Sequence, residues 1–305
     1  MLQRLGLIMC SLGQELQHVE HSRIAHTPWS LIPAFEAFSR SCTTHECRFL
    51  ISPQWTYNYG VSPDVVAALT KILYSLDWVS PEEWRGIGEF SQSSKLHFLY
   101  FPQAERKNVL LHAILAHELG HILTQEAISA EFGRIWLEEE GRVESAFRAE
   151  ACMTTGAQEE DIESTASIQS TVASQTEHAK RVARRAFEEL AADYVAVHLL
   201  GPAAFAALAE FAARKDLDAK PLASEDYPPW RFRLRWMAAQ LKPDLDMLAS
   251  SGTTNEDADS QPVTLLQPFL LWLRQTIEVA ETEADTRILN REPVTRETFV
   301  IVEKR

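Results

Sequence analysis

The sequence predicts an α+β protein in which helix predominates, and three observations predict it. Long runs with few prolines and apolar residues at helical spacing cover Asn108–Leu123, Arg184–Leu200, Pro202–Arg214 and Trp230–Leu241. Two short runs, Arg48–Ser52 and Lys95–Phe101, have the β-branched and aromatic character of strands. The chain has 305 residues, 46% of them hydrophobic, which is enough to bury the core of one large domain or of two closely joined lobes.

Taken in order, residues 1–40 read as helical and carry His18, His21 and His26 close together. Cys42, His45 and Cys47 follow, at a spacing that fits no ordinary zinc module. Surface histidines and small buried cysteines account for this stretch more simply than a second metal does. Arg48–Ser52 is a short strand, and Pro63–Leu76 a helix beginning after Ser62. Lys95–Phe101 is the clearest strand, closed by Pro102, and a proline there suits a strand at the edge of a sheet. Asn108–Leu123 reads as a buried helix.

Residues 126–164 hold eleven acidic and three basic side chains, and Thr154–Ser174 is rich in Ser, Thr, Gln and Glu. This predicts a helix followed by a mobile loop, serving as a lid, a binding surface or a solvated connection. Arg184–Leu200 is a helix with a stop at Gly201-Pro202, and Pro202–Arg214 and Trp230–Leu241 are two more. Asp244–Gln261 reads as a flexible linker, and Gln267–Ala284 as a last amphipathic helix with Pro268 in its first turn. The expected organisation is an N-terminal region at 1–94, a core at 95–245 with an acidic insertion at 126–180, and a linker with C-terminal helix at 246–305.

The functional signal is His117-Glu118-Leu119-Gly120-His121. Residues four apart on a helix stand one turn above each other, so the two imidazoles can converge on one ion. Zinc bound by two imidazoles and a carboxylate keeps a position for water and lowers the pKa of that water to about 7. Glu118 lies round the helix from His117, where it can take the proton as the water attacks a carbonyl. A third ligand must come from elsewhere, and Glu189 is the best placed. It shares a helix face with Asp193, which could accept the outer N–H of a ligand histidine and fix its tautomer. Glu188 points away and pairs with Arg184.

These residues resemble the gluzincin metallopeptidases, in which a glutamate from a later helix completes the His-Glu-x-x-His site. Glu189, Ala192 and Asp193 are similar to the branch of the CAAX prenyl protease and HtpX-like endopeptidases. Ala196, Leu199, Leu200 and Pro202 match the ImmA/IrrE-type peptidases, which act on repressor proteins. The long interval from His121 to Glu189 suits the first branch better, and the reading is made at the level of the superfamily. The resemblance implies a zincin-like fold, with a small sheet packed beside the metal-binding helix and a helical C-terminal part. It implies Zn2+ as cofactor, and an edge strand near the metal that pairs with extended substrate, for which Lys95–Phe101 is the expected segment. Tyr227-Pro228-Pro229-Trp230-Arg231 resembles a segment of the first branch with a histidine at the position of Tyr227. Either Tyr227 or Arg231 donates to the developing oxyanion, or the segment is a rigid turn before a helix.

The expected function is therefore a zinc metalloendopeptidase in which Glu118 and the zinc activate water. The alternative is a noncatalytic zincin-like protein that binds zinc for regulation or interaction. A net charge of −14 argues against nucleic acid as a partner and leaves a peptide or protein substrate. No apolar run reaches the 18 or so residues that cross a bilayer, and Met1–Cys10 is too short and weakly charged for a signal peptide. With four cysteines and no disulfide pattern, a cytoplasmic location is expected. The sequence leaves the oligomeric state open.

Overall fold

The computed structural model describes residues 6, 10, 13, 16–20, 22, 27–62, 64–74, 82, 85, 94–155, 166–214 and 228–251. Their elements are α1 (Leu31–Cys42), β1 (Glu46–Gln54), β2 (Gly60–Val61), α2 (Val65–Tyr74), β3 (Ser94–Pro102), α3 (Ile114–Thr155), α4 (Ala166–Leu200), α5 (Pro202–Ala213) and α6 (Trp230–Ser251). The described residues are thus predominantly helical, with one small sheet of three strands. Contacts divide it into two compact units, Met1–Leu123 and Thr124–Arg305. The boundary falls inside α3. β3 is paired along its length with β1 in the same unit.

In the first unit the strand order is β1-β3-β2. β1 runs parallel to β3 from Glu46 opposite Ser94 to Gln54 opposite Pro102, and β2 is antiparallel, with Gly60 opposite Tyr100 and Val61 opposite Leu99. The expectation that Lys95–Phe101 is an edge strand is therefore wrong, and with it the expected pairing of this strand with substrate. Beyond β2 the same side of β3 is still occupied. Ser62 donates its N–H to the Phe98 carbonyl and accepts the Phe98 N–H on its hydroxyl at 2.7 Å, while Asp64 accepts the Leu96 N–H. The physical reason lies in the side chains. His97, Phe98 and Leu99 are consecutive and all buried, so both faces of β3 are covered, as in a central strand. Pro102 closes the strand at its last position, where the missing N–H costs a single ladder bond. α1 packs on β1 and α2 on β3.

In the second unit α4 packs on α5 and α6, and it shares an apolar cluster with α3. α3 has 42 residues, roughly 63 Å at 1.5 Å per residue, and covers 126–155 of the stretch expected to be an insertion at 126–180. Its residues Phe132, Ile135, Trp136, Val143 and Phe147 form one stripe at helical spacing, packed with Val172, Ala179 and Ala183 of α4. This burial explains why Ala166–Ser174 is helical although its composition reads as a mobile loop: its polar residues flank an apolar stripe that begins at Val172. Residues 156–165 lie outside the described residues.

Further along α4, Ala186 and Leu190 pack with Phe232 of α6. Between α4 and α5 stands Gly201 with φ of +54°, a backbone setting open to glycine at little cost, and Pro202 then opens α5. α6 extends to Ser251, so the expected linker from Asp244 is helical at its start. Tyr227 and the expected helix Gln267–Ala284 lie outside the described residues.

Candidate metal centre

α3 becomes α-helical at Ile114, after a short 3-10 turn at Leu111–Ala113. Its first two turns are buried on every side: Leu115, Ala116 and Leu119 are wholly inaccessible, and His117 and Glu118 are buried among them. A helix embedded in this way positions its polar groups rigidly, because few rotamers fit. The rings of His117 and His121 meet edge to face with centroids 4.6 Å apart, as expected for residues one turn apart.

Glu189 of α4 completes a cluster. One donor atom from each of His117, His121 and Glu189 lies within 4.8 Å of the others. These three residues could together hold a metal ion. Two imidazoles and a carboxylate, two of the three residues buried and His121 partly so, are a donor set suited to a divalent transition metal. Among the described residues no other such group of His, Cys, Asp and Glu is found. Cys10 and Cys42 are exposed, and Cys47 is buried.

The electrostatic surroundings of Glu189 were not foreseen. Its Oε2 lies 3.0 Å from Nη1 of Arg233, and its Oε1 lies 3.2 Å from Nη2 of Arg185. Arg233 also grips Asp193 with its fork: Nε donates to Oδ2 at 2.9 Å and Nη2 to Oδ1 at 2.7 Å. Asp193, expected to orient a ligand histidine, thus has both oxygens engaged by an arginine that reaches Glu189 as well. Side-chain exposure is 3% for Glu189, 3% for Arg233 and 0% for Asp193, so the three form a fully buried ionic unit. The Arg233 guanidinium also stacks over Trp230 at 4.5 Å. Toward the surface, Glu188 pairs with Arg184 as expected, and also with Arg185 at 2.9 Å.

Arg233 carried a signal in the sequence. On α6 it follows Trp230 by three residues and precedes Met237 by four, so it falls on a core-facing stripe where a cation requires a buried carboxylate. Arg231 is buried in the first turn of α6, while Tyr227 is outside the described residues.

Two other buried histidines stand apart from the cluster. His97 has Nδ1 3.2 Å from the Ser62 carbonyl, and His112 packs edge-on against Phe101. Burial, the largest influence in each case, lowers the pKa of both below the ordinary value of 6.5. Among the described residues no helix is long and apolar enough to cross a membrane. The chain matches no known protein family, no curated protein and no solved structure.

Proposed function

We propose that this chain is a zinc-dependent metallopeptidase of gluzincin type with a zincin-like fold, hydrolysing peptide bonds in peptide or protein substrates. The observation that carries the reading is the convergence of His117, His121 and Glu189 to within 4.8 Å, with Glu118 beside the first histidine on the same buried helix turn. When bound, zinc would act as a Lewis acid, polarising the scissile carbonyl and making water acidic enough to lose a proton near neutral pH.

The chain's own residues supply the rest. His117 and His121 bind through neutral nitrogens, so protons compete with the metal as pH falls. Glu118 is the general base: it takes the proton from the attacking water and returns it to the leaving amine. Glu189 contributes the anionic ligand, and Arg233, fixed by Asp193, holds its carboxylate in place.

The test compares wild type with Glu118→Gln on unfolded protein substrates and measures bound zinc in both. The expected result is stoichiometric zinc in both and cleavage by the wild type alone, with a loss on the order of 10²–10⁴-fold in the variant. Two equally inert proteins that both hold zinc would instead indicate a noncatalytic regulatory or interaction protein. Absence of zinc from the wild type would remove the metal reading itself.

A further inference from the structure

The charges around Glu189 run as a ladder from surface to interior along α4 and α6. Arg184 is half exposed, Glu188 and Arg185 are 25% and 31% exposed, and Glu189, Arg233 and Asp193 are buried. Each rung touches the next: Arg184 with Glu188 at 3.2 Å, Glu188 with Arg185 at 2.9 Å, Arg185 with Glu189 at 3.2 Å, Glu189 with Arg233 at 3.0 Å, and Arg233 with Asp193 at 2.7 Å.

Charge neutrality gives this order a meaning. Glu189 and Asp193 place two negative charges in the interior, and Arg233 supplies one positive charge between them. An uncompensated buried charge is strongly unfavourable, and Arg185 adds a second cation at Glu189, 3.2 Å from Oε1. A divalent metal arriving at Glu189 oversupplies positive charge at the same carboxylate, and one arginine must then yield. Arg233 is held by the Asp193 fork and by Trp230, whereas Arg185 already has its other guanidinium nitrogen on Glu188 and lies nearer to solvent.

We propose that Arg185 is a displaceable counter-cation: it holds Oε1 of Glu189 in the metal-free protein and withdraws onto Glu188 when a metal takes that oxygen. This rests on the assignment of Glu189 as a metal ligand. Arg185 therefore lowers the affinity for metal while stabilising the empty site, and it sets the free metal concentration at which the site fills.

The test measures zinc affinity of the full chain by competition with a chromogenic chelator, and thermal unfolding of the metal-free protein. Arg185→Gln is expected to bind zinc on the order of tenfold more tightly. Its metal-free form is expected to unfold about 2–4 °C lower. Arg184→Gln makes the same charge change one residue away and touches Glu188 but not Glu189; it should stay within about twofold of wild type. Glu188→Gln removes the seat to which Arg185 withdraws and should weaken zinc binding several-fold. That effect should vanish in the Arg185→Gln background, because Glu188 acts through Arg185.

Unchanged or weaker binding by Arg185→Gln overturns the proposal, as does an equal gain from Arg184→Gln, which would mark a general field effect. In either case zinc binding by the wild type, with loss in Glu189→Gln, leaves the metal assignment standing. If neither wild type nor Arg185→Gln binds zinc, both fall together.

Discussion

Replacing Arg233 by methionine keeps an unbranched apolar stem and removes the charge on which the buried unit depends. The variant leaves Asp193 without its bidentate partner and Glu189 without the cation at Oε2, at positions where water does not reach. Removing one partner of a buried pair costs about 3–5 kcal/mol, because the remaining charge is stranded. The lost stacking over Trp230 adds roughly 0.5–2 kcal/mol. Since all three groups are at most 3% exposed, no discount for solvent screening applies.

Taking about 4 kcal/mol, and about 2–4 °C per kcal/mol for a unit of this size, the unfolding temperature should drop by roughly 8–16 °C. Urea denaturation followed by tryptophan fluorescence measures the free energy directly. Arg233→Lys keeps the charge but loses the fork and should recover only part of the loss. In the double variant Arg233→Met/Asp193→Asn, the stranded charge at Asp193 is gone, so the two costs should fall well short of adding. A cost of Arg233→Met below about 1 kcal/mol, the range of exposed ion pairs, would refute the picture of a buried ionic unit.

Further outcomes are expected. Glu189→Gln should lose zinc at concentrations that saturate wild type; chelation of wild type saturated at a hundred times Kd should remove about 2.7 kcal/mol of stability, and an unchanged unfolding temperature would count against a folded-state metal site. His97 and His112 have pKa values lowered in the fold, so below about pH 6.5 the unfolded chain binds more protons than the folded one. Their contribution to stability is present above that pH and is lost as pH falls through the window beneath it. His112→Gln should therefore flatten the dependence of the denaturation midpoint between pH 7 and 5, and an unaltered slope would contradict the assignment. Trp136→Ala, at the centre of the α3 and α4 packing, should cost about 3–5 kcal/mol by denaturation. Gly133 is an exposed mid-helix glycine with open space where a Cβ would stand, so Gly133→Ala should stabilise by roughly 0.5–1 kcal/mol.

Much of the secondary structure was legible because it is written in local periodicity. The strands at Glu46–Gln54 and Ser94–Pro102 contain the runs expected for them, and α5 occupies Pro202–Ala213 as its alanines and opening proline imply. The misjudged places are those where the deciding contact is distant in sequence. Pro102 suggested an edge, but apolar residues on both faces of β3 and its pairing with β1, nearly fifty residues earlier, make it central. The polar start of α4 suggested a loop until its thin stripe met the aromatic residues of α3.

By itself the sequence determined which residues can hold a metal. The spacing of His117 and His121 fixes their geometry on any helix, and the helical pattern around Glu189 and Asp193 puts those two carboxylates on one face. Tertiary structure decided what surrounds them. It brought Glu189 to within 4.8 Å of the histidines, gave Asp193 to Arg233, and laid Arg185 on the oxygen of a prospective ligand. Helical spacing acts over one turn and is visible in a short window. Charge compensation in a buried site is a requirement on the whole neighbourhood, and the chain supplies the needed cations from positions 4 and 44 residues beyond Glu189 in opposite directions.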